Sequence, residues 1–354
     1  MNARVPRLLA RHLCLLALSL SPLLGLAADP SAQPPAEAHR ISARWTLPGA
    51  GGWDYLTADS ARHRLFITRG DRVEVVDLQT GTVLGRIPKL AGVHGVALAP
   101  DLKRGYSSNG RSNTITEFNY DTLEVLREVP LPGLNPDAIL YDPGSHRLFT
   151  FNGRSKDATV LDAASLTVLA TIPMPDKPEF AATDGKGQVF VNIESAPGQL
   201  VVIDTQKLAV KATWTLSGCD EPTGLALDAA HARLFSVCGD NVMAVTDAAS
   251  GKAVARVAIG KGPDAVAFDG ERKRIVVSNG EGTLTYVRAE PADKYVVAAT
   301  LPTQAGARTL ALDPATGRIY TVTATFGPAP APTAQQPRPR PEMVPDTFTV
   351  LVAE

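Results

Sequence analysis

Short apolar runs, each four to eight residues and each closed by Asp, Gly, Asn or Pro, fill this chain from Ile41 onward. Within a run, hydrophobic residues alternate with polar ones or run continuously, and Val, Ile, Thr, Tyr and Phe are frequent. That is the pattern of strands, and nothing of comparable length follows a helical period. The runs recur in a fixed order. "AILYD" (138–142), "RLFTFN" (147–152), "ATVLD" (158–162) and "TVLATIP" (167–173) form one unit of four predicted strands, A to D. Equivalent first strands are "YLTAD", "GVALAPD", "FAATD", "GLALD", "AVAFD" and "TLALD". The residues entering them are Asp54, His94, Asp137, Glu179, Thr223, Asp264 and Arg308, spaced by 40, 43, 42, 44, 41 and 44 positions.

Seven repeats of about 42 residues, each with four antiparallel strands, predict an all-β, seven-bladed β-propeller as a single domain over 39–354. One blade cannot cover both its faces, so neighbours must stack and the ring must close. The seventh unit has strands A, B and C ("TLALDP", "RIYTVTA", "TFTVLVA") and no D. "ISARWTLPG" (41–49) has no unit of its own and reads like the D strand "VKATWTLSG" (210–218). The N-terminal strand is therefore expected to complete the last blade and remove its exposed edge.

The repeat text "VVIDT", "TGTVLGRIP", "HGVALAPD", "PDAILYDP" and "DEPTGLALD" resembles the YVTN-type, YncE-like family of bacterial seven-bladed β-propellers over about residues 41–354. The resemblance implies an exported protein that binds or scaffolds, and carries no agreed catalytic residues. "WD" at Trp53–Asp54 precedes a strand A, whereas the WD40 motif closes a strand C, so that match is accidental.

The N-terminus alters the picture of compartment. Arg4, Arg7 and Arg11 precede an apolar run of 14 residues, Leu13–Leu26, that ends in "GLAA". A bilayer span needs about 20 residues. The segment reads as a signal peptide over 1–28, followed by a disordered "DPSAQPPAEA" over 29–38. A periplasmic or secreted protein is expected, with no membrane span in the mature chain. Cleavage leaves 32 basic and 36 acidic residues. Without a basic surplus, nucleic acid is an unfavourable main partner. A small molecule or an envelope protein is the expected partner, and a monomer the expected state.

Strand A lines the channel of a propeller, and the D–A and B–C loops share one face. Asp54, His94, Asp137, Glu179, Asp264 and Arg308 are thus expected to ring one channel mouth, with Glu221 close by. Four acids with one His and one Arg suit a cationic or metal-bearing ligand, Arg308 serving a carboxylate or phosphate. Arg111 and Arg154 follow Asn-Gly at matched positions in adjacent B–C loops, where they can clamp an anion. The Asn-Gly pairs themselves read as tight hairpin turns at positive φ. Cys219 and Cys238 converge on the same face of unit five and are expected to form a disulfide. No cofactor is evident, although a divalent metal at the mouth fits the residues. There is no CxxCH, HExxH, GxSxG or phosphate-binding glycine loop.

Two functional classes follow: a binding propeller, or a lactonase-like or metal-assisted hydrolase using the ring carboxylates and His94. One further segment stands out. "FGPAPAPTAQQPRPRPEMVPD" (326–346) has seven prolines in 21 residues. It falls between strands B and C of the last unit. Proline-rich chain extends about 3.1 Å per residue, so an out-and-back loop reaches on the order of 30 Å. It is expected to lie over the mouth, with Arg338 and Arg340 answering the acids.

Overall fold

The computed structural model describes residues 38–333, 339 and 341–354. The expected signal peptide, residues 29–37 of the expected disordered segment, Arg338 and Arg340 lie outside the described residues. Seven four-stranded antiparallel sheets, each running in chain order from the inside out, form the blades. Blade three, for example, comprises Pro136–Asp142, Arg147–Asn152, Asp157–Asp162 and Val168–Pro173. Blade seven is the exception in sequence order. Its outer strand is Ile41–Thr46, paired antiparallel with Thr349–Ala353, so Ile41 faces Ala353 across the seam. The expected closure is present.

Packing explains the alternation. Strands B and C are buried on both sides, since each blade is covered by two neighbours, and they carry near-continuous apolar runs. Apolar clusters bridge adjacent blades: Phe149, Val160 and Ile172 of blade three pack with Val189, Val191 and Val201 of blade four. Strand D lies at the rim and is largely exposed.

The entrance to strand A departs from regular pairing. In blades two to six its register with strand B shifts within the first few residues, between Val93 and Val96, Pro136 and Ile139, Pro178 and Ala181, Pro222 and Leu225, and Pro263 and Ala265. His94, Asp137, Glu179, Thr223 and Asp264 all fall inside these irregularities. A bulge frees a residue from the ladder and re-aims its side chain. Strand B fixes the result from behind. Ser108 Oγ donates to the Asp137 carbonyl at 2.5 Å, Asn192 Nδ2 to the Thr223 carbonyl at 3.0 Å, and Ser278 Oγ to the Arg308 carbonyl.

The Asn-Gly pairs correct one expectation. Asn109, Asn152 and Asn279 are not at positive φ, and neither are Gly110, Gly153 and Gly280; that conformation falls instead at Asn113, Lys156 and Gly282. The asparagines are buried and brace the hairpin by side chain. Asn109 Nδ2 donates to Thr114 Oγ1 at 3.1 Å and Thr116 Oγ1 at 2.9 Å, Asn279 does the same to Thr283 and Thr285, and Asn152 donates to Asp157 Oδ1 at 2.6 Å and Thr159 Oγ1 at 2.9 Å. The glycine serves proximity: a Cβ on Gly110 would lie 2.5 Å from His94 Nε2.

Candidate functional site: the channel mouth

Three of the predicted ring residues meet directly. His94 Nδ1 lies 2.6 Å from Asp54 Oδ2 and 3.6 Å from Asp137 Oδ1. Their ligand-capable atoms all fall within 4.8 Å of one another. Glu179 pairs with Lys177, which also reaches Glu194 at 2.5 Å. On the far side Arg308 Nε stands 3.7 Å from Asp264 Oδ2, so this arginine already faces a carboxylate. Thr223 turns its hydroxyl to the Val237 and Pro263 carbonyls over long contacts of 3.5 and 3.4 Å. Glu221 is exposed, at positive φ in the loop before strand A of blade five, and among the described residues its side chain bonds none of the other ring residues.

Burial at the mouth disfavours charge, and the acids divide accordingly. Burial pushes Glu179 up to about 8, helped by the Asp137 charge and opposed by Lys177. Burial pushes Asp264 up to about 6 against Arg308. Asp137 is also raised, by burial, with His94 opposing and Asp54 adding to the rise. For His94, burial acts against the imidazolium, but the Asp54 hydrogen bond and the charges of Asp137, Asp54 and Glu179 outweigh it, and its pKa is raised. Burial and Asp137 thus favour the protonated form of Glu179 against the pull of Lys177, while His94 is drawn toward the charged form.

Tyr55 forms the floor. Burial, followed by the Asp137, Glu179, Asp54 and Asp264 charges, holds its hydroxyl pKa well above the ordinary value. Its ring meets that of Phe180 with centroids 4.5 Å apart. These residues come from the innermost strands of blades one and four, so the pair bridges the channel. Beneath it a cavity of about 170 Å³ continues between Leu56, Val96, Ile139 and Phe180.

The two loop arginines join the same site. A cavity of about 460 Å³ is lined by Trp53, Asp54, His94, Asn135, Arg111 and Arg154, among others. Both arginines are exposed and, among the described residues, neither has an ion pair. One concavity thus holds an acid–imidazole wall and a guanidinium wall.

Tyr55, Lys177, Glu194 and Trp53 were not singled out from sequence. A signal existed for Lys177: in "KPEF" it stands two residues before Glu179, and a strand returns every second residue to one side. Glu194 is then its cross-strand neighbour, paired in register with Lys177. The tyrosine looked like ordinary strand text.

The proline-rich segment is anchored at its base. Phe326 bridges Met343, Gly327 N donates to the Glu342 carbonyl at 2.9 Å, and Val344 N to the Thr325 carbonyl at 2.8 Å. The Phe326 ring lies 5.9 Å from that of Trp53, which lines the mouth cavity. The Cys219 and Cys238 sulfurs are 1.98 Å apart, at disulfide distance, as expected. Among the described residues, no helix is long and apolar enough to cross a membrane.

The fold and this mouth define a seven-bladed β-propeller with a polar concave site at one end of a bridged channel. The fold is shared with a chain in the crystal structure of a mitotic checkpoint complex, at 14% identity and TM-score 0.71, covering 92% of this chain and 99% of that one. It is shared as well with a chain of hydrazine synthase from Kuenenia stuttgartiensis, at 16% identity and TM-score 0.67, covering 77% and 92%. At such identities the likeness is one of fold. No family model and no curated protein matches the chain.

Proposed function

We propose that this chain is an exported, YncE-like propeller that binds a small ligand at the channel mouth. The observation that carries the reading is the 460 Å³ cavity with Asp54 and His94 on one side and Arg111 and Arg154 on the other. Concave sites of a few hundred Å³ with a small number of converging polar groups are where small ligands bind. Such a cavity favours a ligand with separated charges: a cationic or metal-bound end toward Asp54, His94 and Asp137, and an anionic end toward the arginines. Export is supported by the basic-then-apolar leader and by the cysteine pair at disulfide distance. The test is a thermal-shift screen of the purified chain across metals, amines and carboxylated sugars. Hits are expected to weaken in both Asp54→Asn and Arg154→Ala. Hits that are indifferent to both variants would remove the mouth as the site. A chain that shifts with nothing, yet captures one defined envelope protein through the same residues, would be a protein-docking propeller instead.

A second reading, a metal-assisted hydrolase, is favoured by one specific geometry. Asp54, His94 and Asp137 supply two oxygens and one imidazole nitrogen within metal-ligand spacing. That mixed donor set suits zinc or manganese better than calcium, which takes six to eight oxygens. A bound divalent ion would supply Lewis acidity to a carbonyl. The protein's own part would be to orient an anionic substrate with Arg111 and Arg154 and to hold a proton on Glu179 for a leaving group. Elemental analysis of purified protein, followed by lactone hydrolysis with and without a chelator, tests this. Stoichiometric metal without any chelator-sensitive turnover would leave binding as the function.

A further inference from the structure

A second cavity adjoins the mouth and has a different chemistry. It measures about 680 Å³ and lies between Pro48–Gly52, the link from blade seven into blade one, and Arg69, Arg72, Arg86 and Arg111. Arg69 is fully buried and already engaged: it meets Glu74 at 3.1 Å, donates to the Gly49 carbonyl at 2.9 Å, and sits 3.8 Å over the Phe348 ring, while among the described residues its Nε is left without a hydrogen-bond partner. It locks the link in place. Arg72 meets Asp71 at 2.8 Å and the Ala50 carbonyl at 3.1 Å, and Arg86 meets Glu74 at 3.0 Å while remaining half exposed. Arg111 has no ion pair among the described residues. Four guanidiniums thus stand against three carboxylates, Glu74, Asp71 and Asp346, a net excess of one positive charge.

The link adds neutral donors. Among the described residues, the backbone N–H groups of Ala50, Gly51 and Gly52 donate to no protein acceptor, whereas Gly49 N is taken by Asp346 at 2.8 Å. Gly51 adopts φ 112, and a Cβ there would fall 2.8 Å from the Arg69 carbonyl, so only glycine lets the link run this close to blade one. A Cβ on Gly52 would meet nothing within 4 Å. Successive unpaired amides beside unpaired guanidinium edges form an anion-binding concavity. A carboxylate offers two acceptor oxygens and a phosphate monoester three, so a phosphate better matches the number of donors gathered here.

We infer that this cavity is a binding site for a phosphate group, either free phosphate or the phosphate of a small ester. The inference stands apart from the mouth reading, because Arg72, Arg86 and the Ala50 and Gly51 amides do not line the mouth cavity, whereas Gly52 and Arg111 border both. The experiment is calorimetric titration of the intact chain with inorganic phosphate and, separately, with glycerol 3-phosphate, at low ionic strength. Saturable binding of at least one is expected, weakened by added salt. Arg86→Ala is expected to loosen it about tenfold, the loss of one charge-assisted contact, and Arg86→Ala with Arg111→Ala to abolish it. Arg154→Ala and Asp54→Asn, confined to the mouth, should not weaken it. Arg86 is half exposed, so its removal is not expected to unfold the chain, and the unfolding midpoint of each variant checks that. Binding by glycerol 3-phosphate alone would assign the site to esters, and competition between the two would assign it to the shared phosphate. The inference falls if neither ligand binds saturably, or if Arg154→Ala abolishes binding while Arg86→Ala does not.

Discussion

The two halves of the channel mouth are built alike and furnished differently. In blades one to four the positions entering strand A carry Asp54, His94, Asp137 and Glu179, held in two sets of close contacts, Asp54 and Asp137 with His94, and Glu179 and Glu194 with Lys177. In blades five to seven the same positions carry Thr223, Asp264 and Arg308, where a long-range hydroxyl contact and one loose ion pair suffice. The backbone does not account for the contrast, since the irregular entry to strand A occurs in blades two to six alike. The repeat sets where side chains converge; residue identity sets what the convergence does. Blade five instead carries the cysteine pair, a device for stability.

The contrast can be broken most forcefully at the quiet side. Replacing Cys219 and Cys238 with alanine should cost about 3 kcal/mol in the chain-entropy view of a loop of this length. It should leave ligand or metal affinity at the mouth within about twofold. Denaturant unfolding and a parallel titration measure both; a large loss of affinity would mean the two halves are one unit. On the busy side the expectation reverses. In a zinc titration of the metal site proposed above, His94→Ala or Asp137→Asn should weaken binding by about tenfold or more, as loss of a metal ligand or its support does, with little change in the unfolding midpoint. Asp264→Asn should not weaken it. Equal losses from all three would erase the distinction.

Titration gives a subtler probe. The folded Glu179 carboxyl stands at about 8 against an ordinary 4.5. Between those values the folded chain keeps a proton that the unfolded chain releases, so raising the pH across that window favours unfolding. Glu179→Gln removes this penalty. Its thermal midpoint should exceed that of the parent at pH 9, with the gap closing toward pH 5. A gap that widens at low pH would show that the carboxylate, rather than the acid, is the stabilising form. The smallest effect is expected at Thr223→Val, where the hydroxyl contacts are long: less than about 1 kcal/mol by thermal denaturation, and no change in binding.

Architecture was legible because a propeller repeats its evidence. Seven copies of the same alternation, and a last unit lacking one strand, pointed to both the ring and its closure. The ring positions were legible for the same reason, since each is the residue before a recurring strand. The interactions between them were not. Nothing in "WDYLT" says that Tyr55 will meet Phe180 three repeats later, because that contact depends on the curvature of the closed ring. The meaning of Asn-Gly was misread because a turn and a buried brace use the same two letters. What separates them is whether strand C offers hydroxyls, and Thr114, Thr116, Thr159, Thr283 and Thr285 were there to be noticed. The arginine cavity escaped notice because its walls come from residues 48–52, 69–72, 86 and 111, which no single repeat contains.

The seam between Ile41–Thr46 and Thr349–Ala353 has a temporal meaning. A strand made early in synthesis waits for a partner about 300 residues away, and until then blade seven has no outer strand. Closing so long a loop is slow, and an open array of blades exposes an unpaired edge while it waits. The last ladder can zip only when both ends of the propeller are present together, so completion of blade seven reports that the whole ring has been made.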